Sequence, residues 1–348
     1  MFGSAREALR WFKPREHFDH PFWELALFIA AGFVLAIGAT VGLAWIAGFG
    51  TVLHRLRHPN LLWIPLTLAG QVVAYVGYML AYREVARVEK GPKLGMTRLA
   101  AAVFSGFGVF VAAGGFAVDV TAMRRAGSTE RDARIRVLGL GALEYALLGP
   151  AACVSAFVLL AHGTRTPSLG LTLPWAIAVP VGFAVAFWAI GHRERFARRR
   201  GWRGALDHVL QGVAVVRHLA MEPLKHGSAF LGMALYWIGE IFSLSAALHA
   251  FHSERPAVAA LIIGFATGYA LTRRTLPLAG AGVVEALLPF ALVWVGATLA
   301  PAVLAVFVYR FFNLWLPLIP AVIGIRSLRR RALAASRPRS GQPDLGQT

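Results

Sequence analysis

A chain of 348 residues with 57% apolar and only 15% charged side chains, and a mean hydropathy of +0.60, falls outside the soluble globular class, where roughly 25% of residues are charged. The formal charge of +18 does not indicate nucleic acid, because Arg and Lys gather in short segments between apolar runs and no nucleic-acid-binding motif accompanies them. The single cysteine, Cys153, excludes an intramolecular disulfide and a cysteine-based metal site.

The N-terminal segment, residues 1–21, carries Arg6, Arg10, Lys13 and Arg15 together with acids. The apolar run after it, Phe22–Phe49, is too long for a signal-peptide core and lacks a small-residue cleavage site, so it predicts an uncleaved first membrane helix. Five more runs follow at Leu61–Tyr82, Ile135–Ala161, Leu173–Gly191, Ser228–Phe251 and Leu299–Ile325. Each has about the 20 residues needed to cross a hydrocarbon core of roughly 30 Å.

Two further apolar stretches, 99–122 and 257–297, are interrupted by small residues. The first contains Ala112-Ala113-Gly114-Gly115 and the second Leu278-Ala279-Gly280-Ala281-Gly282. As a helix, Leu99–Val111 would be about 20 Å long, too short to span. Both stretches predict re-entrant or broken helices, whose backbone polar groups must be satisfied by protein or by a water-filled cavity. The expected fold is therefore an all-α polytopic membrane protein with six to eight transmembrane helices and two broken segments, its membrane domain covering 22–325. The halves share a spacing: Glu144 follows Asp119 by 25 residues, and Arg310 follows Glu285 by 25. An inverted repeat is the candidate arrangement; chance coincidence of a few positions is the competing one.

Segments 1–20, 83–98, 123–136 and 192–226 and the tail after Ile325 are basic, whereas the loops 162–171 and 252–256 carry a single Arg each. Six crossings of a cytoplasmic (inner) membrane with both termini in the cytoplasm fit this pattern, with Arg55 and Arg57 on the outer side as exceptions. Anionic lipids are the expected neighbours of the basic segments. Within 192–226, Trp202, Leu206, Val209, Val213, Val216 and Ala220 recur at helical spacing, with Arg203, Asp207, His208, Gln211 and Arg217 on the other face. This predicts an amphipathic helix on the cytoplasmic leaflet; a short soluble helix packed on the loop is the alternative. The tail 326–348 is basic and polar and is expected to be disordered.

A charge at the bilayer centre costs roughly 2.5–3.5 kcal/mol even on the lenient insertion scale. Asp119, Glu144, Glu240, Glu285 and Arg310 lie within apolar runs and become functional candidates on that ground. Glu285 and Arg310 have opposite sign on adjoining segments, which predicts a buried pair, either functional or purely structural. Glu144 and Glu240 could equally be protonated carboxyls bonded to a neighbouring helix, and Glu24 reads as interfacial. Arginine pairs adjoin both broken segments, Arg124-Arg125 after the first and Arg273-Arg274 before the second. Arg273 and Arg274 suit bidentate binding of a lipid phosphate, aided by the helix N-terminus after Gly282; snorkelling to headgroups is the plainer role. The sequence has no H-E-x-x-H, Walker loop, Gly-x-Ser-x-Gly elbow, D-x-D or His/Asp cluster, so neither a metal nor another cofactor is expected.

The stretch Leu276-Pro277-Leu278-Ala279-Gly280-Ala281-Gly282-Val283-Val284-Glu285-Ala286, followed by Tyr309-Arg310 and Leu316-Pro317, resembles the transmembrane, flippase-like domain of lysylphosphatidylglycerol synthases and their stand-alone relatives. Gly114-Gly115 through Asp119, Arg124-Arg125-Ala126-Gly127 and Leu143-Glu144 are similar to that family's looser first-half motif. The resemblance covers roughly 20–330 and places Glu285 and Arg310 at the family's acidic and Tyr-Arg positions. Leu278-Ala279-Gly280 departs from the family's Pro-Gly-Gly-like spacing before the acid, and the soluble aminoacyl-transferase domain of bifunctional members is missing. The resemblance implies movement of a phospholipid or lipid-linked polar group between leaflets, without aminoacyl-lipid synthesis. A membrane-embedded glycosyl- or acyl-transferase is the enzymatic alternative. A non-transporting partner of a lipid-synthesis enzyme, recruited through 192–226, is a third reading. Glycine-rich helix faces permit close contacts without choosing between monomer and homo-oligomer.

Overall fold

The computed structural model describes residues 22–88, 91–107, 115–162, 169–192, 202–253, 256–270 and 280–320, and among these every regular element is a helix. Six helices are long and apolar enough to cross a membrane: Ile29–Ile46, Trp63–Arg87, Glu130–Ala161, Leu169–Gly191, Pro223–Ala250 and Leu299–Pro320. They coincide with the six predicted runs, and the chain is a polytopic, all-α membrane protein.

The first run ends at a break. Helix α1 (Phe22–Ile46) ends before Gly48, and a separate nine-residue helix α2 (Phe49–Arg57) carries His54, Arg55 and Arg57. The loop after α2 docks on the end of a distant helix. Asn60 N donates to Ala250 O at 2.8 Å, Arg55 Nη1 to His252 O at 3.3 Å, and His252 Nε2 to His58 O at 3.1 Å. Arg55 thus bonds the turn at the end of that helix, besides being a basic residue outside the basic segments.

Helix α3 (Trp63–Arg87) runs antiparallel to α9 (Pro223–Ala250), and among the described residues this is the most extensive helix pair. Glycines set its spacing: Gly70 and Gly77 on α3 face Gly239 and Gly232 on α9. A Cβ on Gly239 would stand 2.6 Å from Ala74 N and from Gly70 O, and one on Gly77 would stand 2.5 Å from Gly232 O. Small residues at seven-residue intervals on both helices let the backbones meet, the usual solution where lipid offers no hydrophobic drive to associate. The contact is also polar, since Ser243 Oγ donates to Thr67 O at 2.8 Å.

Four helices occupy the interrupted stretches: α4 (Met96–Phe107) and α5 (Gly115–Arg125) in the first, α10 (Val258–Phe265) and α11 (Val283–Trp294) in the second. Helix α10 continues into a π-helical turn at Ala266–Ala270. Each piece is about 16–20 Å long at 1.5 Å per residue, too short to span alone. The break predicted at Ala112–Gly115 falls largely outside the described residues, as does Leu278–Ala279.

Helix α6 (Glu130–His162) packs on α8 (Trp202–Met221) through Gly139 and Gly212, and next to it α7 (Leu169–Gly191) is the least enclosed of the spans. A helix therefore spans the stretch read as amphipathic, and the side it turns to the protein is distinct from the apolar side read as facing the leaflet. Leu210, Gln211, Val215 and Leu219 are buried against the protein, whereas Val209 is exposed. Gln211, assigned to the polar face, lies inside and donates to Asp207 Oδ2 at 2.6 Å. Close glycine contact with α6 selects a face that hydrophobic spacing alone did not.

Candidate functional site

The second break turns on glycines. Gly280 and Gly282 have φ of 69° and 83°, and α11 starts directly after them. The Gly282 N–H donates to Glu285 Oε2 at 2.7 Å, so the acid at the third position of α11 caps its own helix. Beyond the positive φ, Gly282 is tightly seated, since its Cβ would stand 3.0 Å from Leu35 Cβ and 3.2 Å from Leu35 O on α1. Gly282→Ala is expected to cost about 1–3 kcal/mol, read as a lowered Tm of the purified protein; an unchanged Tm would show that the break tolerates an ordinary residue.

The other oxygen of Glu285 faces α12 (Leu299–Arg310). Arg310 Nε donates to Glu285 Oε1 at 2.7 Å, and both side chains are about 2% exposed. The buried pair expected from the sequence is present. The Arg310 guanidinium also lies 5.9 Å from the centroid of the Tyr269 ring.

Immediately after Arg310 the helix widens into a second π-helical turn, Phe311–Trp315, closed by Leu316 N donating to Phe311 O at 2.8 Å. This turn carries Asn313, and the turn at Ala266–Ala270 carries Tyr269. The two meet where the Tyr269 hydroxyl donates to Asn313 Oδ1 at 2.8 Å. Isolated π turns of this kind recur at functional sites because they redirect side chains from the helical register. Asn313 joins four elements. Its Nδ2 donates to Glu240 Oε1 at 2.9 Å and to Gln71 Oε1 at 3.1 Å, its Oδ1 accepts from Arg310 Nη1 at 3.4 Å, and its backbone carbonyl accepts from Tyr75 at 2.6 Å. Glu240 Oε2 in turn accepts from Tyr309 at 2.5 Å and from Gln71 Nε2 at 3.2 Å. One hydrogen-bonded network therefore runs Gln71–Glu240–Asn313–Arg310–Glu285, buried throughout. Glu240 is ten residues from the Ala250 end of α9, and Arg310 eleven from the Leu299 end of α12, so both lie about 15 Å along their helices. That is about half the roughly 30 Å needed to cross a hydrocarbon core.

A cavity of about 270 Å³ opens beside the ion pair, lined by Phe33, Ala36 and Ile37 of α1 and by Glu285, Phe307, Arg310, Phe311 and Trp315. Its walls are aromatic and aliphatic, and its polar groups are the two partners of the ion pair. Glu240 does not line it, but it reaches the lining through Asn313.

The remaining predicted residues lie elsewhere. Asp119 is buried on α5, where its backbone carbonyl accepts from the Tyr82 hydroxyl at 3.4 Å. Glu144 is buried on α6, its carbonyl accepting from Trp237 Nε1 at 2.9 Å. Neither lines the cavity. Arg124 sits in the last turn of α5, one-third exposed and 3.7 Å from Glu130. Arg273 and Arg274 fall outside the described residues. The sequence reading overlooked Gln71, Tyr269 and Asn313, which carry no charge and so did not stand out in apolar runs. An amide inside a membrane span was the available signal. It also overlooked Arg136, buried and donating to Val88 O at 3.2 Å. Among the described residues no group of three His, Cys, Asp or Glu side chains is placed to hold a metal ion.

A family profile described as lysylphosphatidylglycerol synthase TM region matches residues 27–321. The chain belongs to this family. The match takes in all six spans apart from the first residues of α1, and both partners of the ion pair. The resemblance carried by the Gly282–Glu285 and Tyr309-Arg310 motifs thus extends over residues 27–321. A search of curated proteins found no match to the chain.

Proposed function

We propose that this chain moves a lipid, or a lipid-linked polar group, between the leaflets of the cytoplasmic membrane, and that it acts as a transporter and not as an enzyme. The observation that carries this reading is the Glu285–Arg310 pair on the wall of an otherwise apolar cavity near mid-depth. Ionisable groups at that depth are costly and concentrate on substrate pathways. Short, interrupted helices bordering such groups are the pattern of membrane transport sites. In this reading α10 and α11 form a re-entrant hairpin that enters and leaves by one face. The polar headgroup meets Arg310 and Glu285 while its acyl tails stay in the bilayer, and both chain termini lie in the cytoplasm beside the basic segments.

The test is leaflet exchange of fluorescent lipids by purified protein in liposomes, with anionic, zwitterionic and amine-bearing headgroups compared. Exchange above protein-free liposomes that depends on the headgroup is expected. Absence of exchange for every headgroup, by protein shown to be folded, would exclude the transport reading.

A further inference from the structure

The geometry points to α1 as a lateral gate that swings about Gly48 to open the Glu285–Arg310 cavity to the bilayer; the substrate it would admit rests on the translocation reading above. Only 22% of the first span, Ile29–Ile46, is buried against the protein, compared with 61% of α9. Among the described residues the buried apolar side chains of α1 are Ala36 at the site and Leu43 and Ala44 near Gly48. The Phe33 ring meets Trp315 edge-on at 5.2 Å between centroids, and the Leu35 backbone rests on Gly282. Phe33, Ala36 and Ile37 supply one wall of the cavity, and α11, α12 and the π turn supply the other. Moving α1 aside would therefore uncover the ion pair without disturbing the α3–α9 scaffold or the Asn313 network.

The far end of α1 has the features of a hinge. Gly48, with φ of 84°, separates α1 from α2, and a side chain there would meet only Thr51 Oγ1, at 3.7 Å. Helix α2 is fixed independently of α1, by burial of Val52, by packing on α12 and by the Arg55–His252 hydrogen bond. A loosely held helix joined through a glycine to an anchored one can rotate as a unit. The opening between α1 and α12 would face lipid along its length. A headgroup could then reach Arg310 and Glu285 from the side while its hydrocarbon chains remained outside.

Two measurements test this on the full chain with Cys153→Ala as background. Spin labels on Val34→Cys and Phe307→Cys, both at exposed positions on the two walls, are read as a distance distribution in lipid nanodiscs. Two populations are expected, and a single population would overturn the gate. Phe33→Cys and Trp315→Cys are then joined by a short bis-methanethiosulfonate linker, with linkage confirmed by mass spectrometry. In this unlabelled protein, linking is expected to drop lipid exchange from the rate of the unlinked double-cysteine variant to the protein-free rate, with recovery to the unlinked rate on reduction. Undiminished exchange by fully linked protein would overturn the gate. Two label populations in a protein that exchanges no lipid at all would support the moving helix and reject the translocation reading instead.

Discussion

Replacing Arg310 with Met is expected to abolish lipid exchange and to destabilise the protein by about 3–5 kcal/mol, the cost of leaving a buried charge without its partner. The charge left behind is Glu285, buried and held in place by the Gly282 N–H. Asn313 would lose a donor at Oδ1 as well. The double variant Glu285→Met/Arg310→Met removes both charges and is expected to recover most of that loss, short by about 1 kcal/mol for the missing helix cap. It should still fail to exchange lipid. Arg310→Lys separates the roles further, because an ammonium keeps the charge but cannot donate to Glu285 and Asn313 from one planar group. Thermal unfolding in detergent and exchange in liposomes, measured on all three variants, distinguish a packing pair from a substrate site. Normal exchange by a folded double variant would remove the pair from the pathway.

Gly239→Val should damage the scaffold itself. The added Cβ would sit 2.6 Å from backbone atoms on α3, where no side-chain rotation can relieve the clash. Overpacking of this kind costs about 1–3 kcal/mol. Separating the helices also stretches the Gln71–Glu240 and Ser243–Thr67 hydrogen bonds, each worth about 0.5–1.5 kcal/mol. The expected loss is about 3 kcal/mol or more, seen as a lowered Tm and a reduced monodisperse fraction on size-exclusion chromatography. Gly38→Ala on α1, where nothing lies within 4 Å of the added atom, is the matched control and should leave both unchanged. Equal behaviour of the two variants would mean that the α3–α9 contact is looser than the glycine spacing requires.

The two variants probe different depths of the same design. The α3–α9 pair places Gln71 and Glu240 side by side, and Asn313 relays that position to Arg310. A disturbance at Gly239 therefore reaches the ion pair through hydrogen bonds, whereas a change at Arg310 leaves the glycine contact intact.

The sequence by itself determined the membrane class, the six spans, the glycine break before Glu285 and the pairing of Glu285 with Arg310. These follow from local or one-dimensional facts. A span is a run of about 20 apolar residues, and opposite charges too costly to bury alone must find each other. Tertiary structure alone decided the rest. Which face of Trp202–Met221 turns inward depended on Gly212 meeting Gly139, a contact between residues 73 positions apart. A second, short helix follows the first apolar run and is fixed to the end of α9, which no hydropathy pattern records. Glu240 and Arg310 share one network because two π turns bring Tyr269 and Asn313 together. Uncharged polar residues and small shifts of helical register cost too little in one segment to be legible there. Their meaning arises only when helices distant in the chain pack closely enough for each donor to find its acceptor.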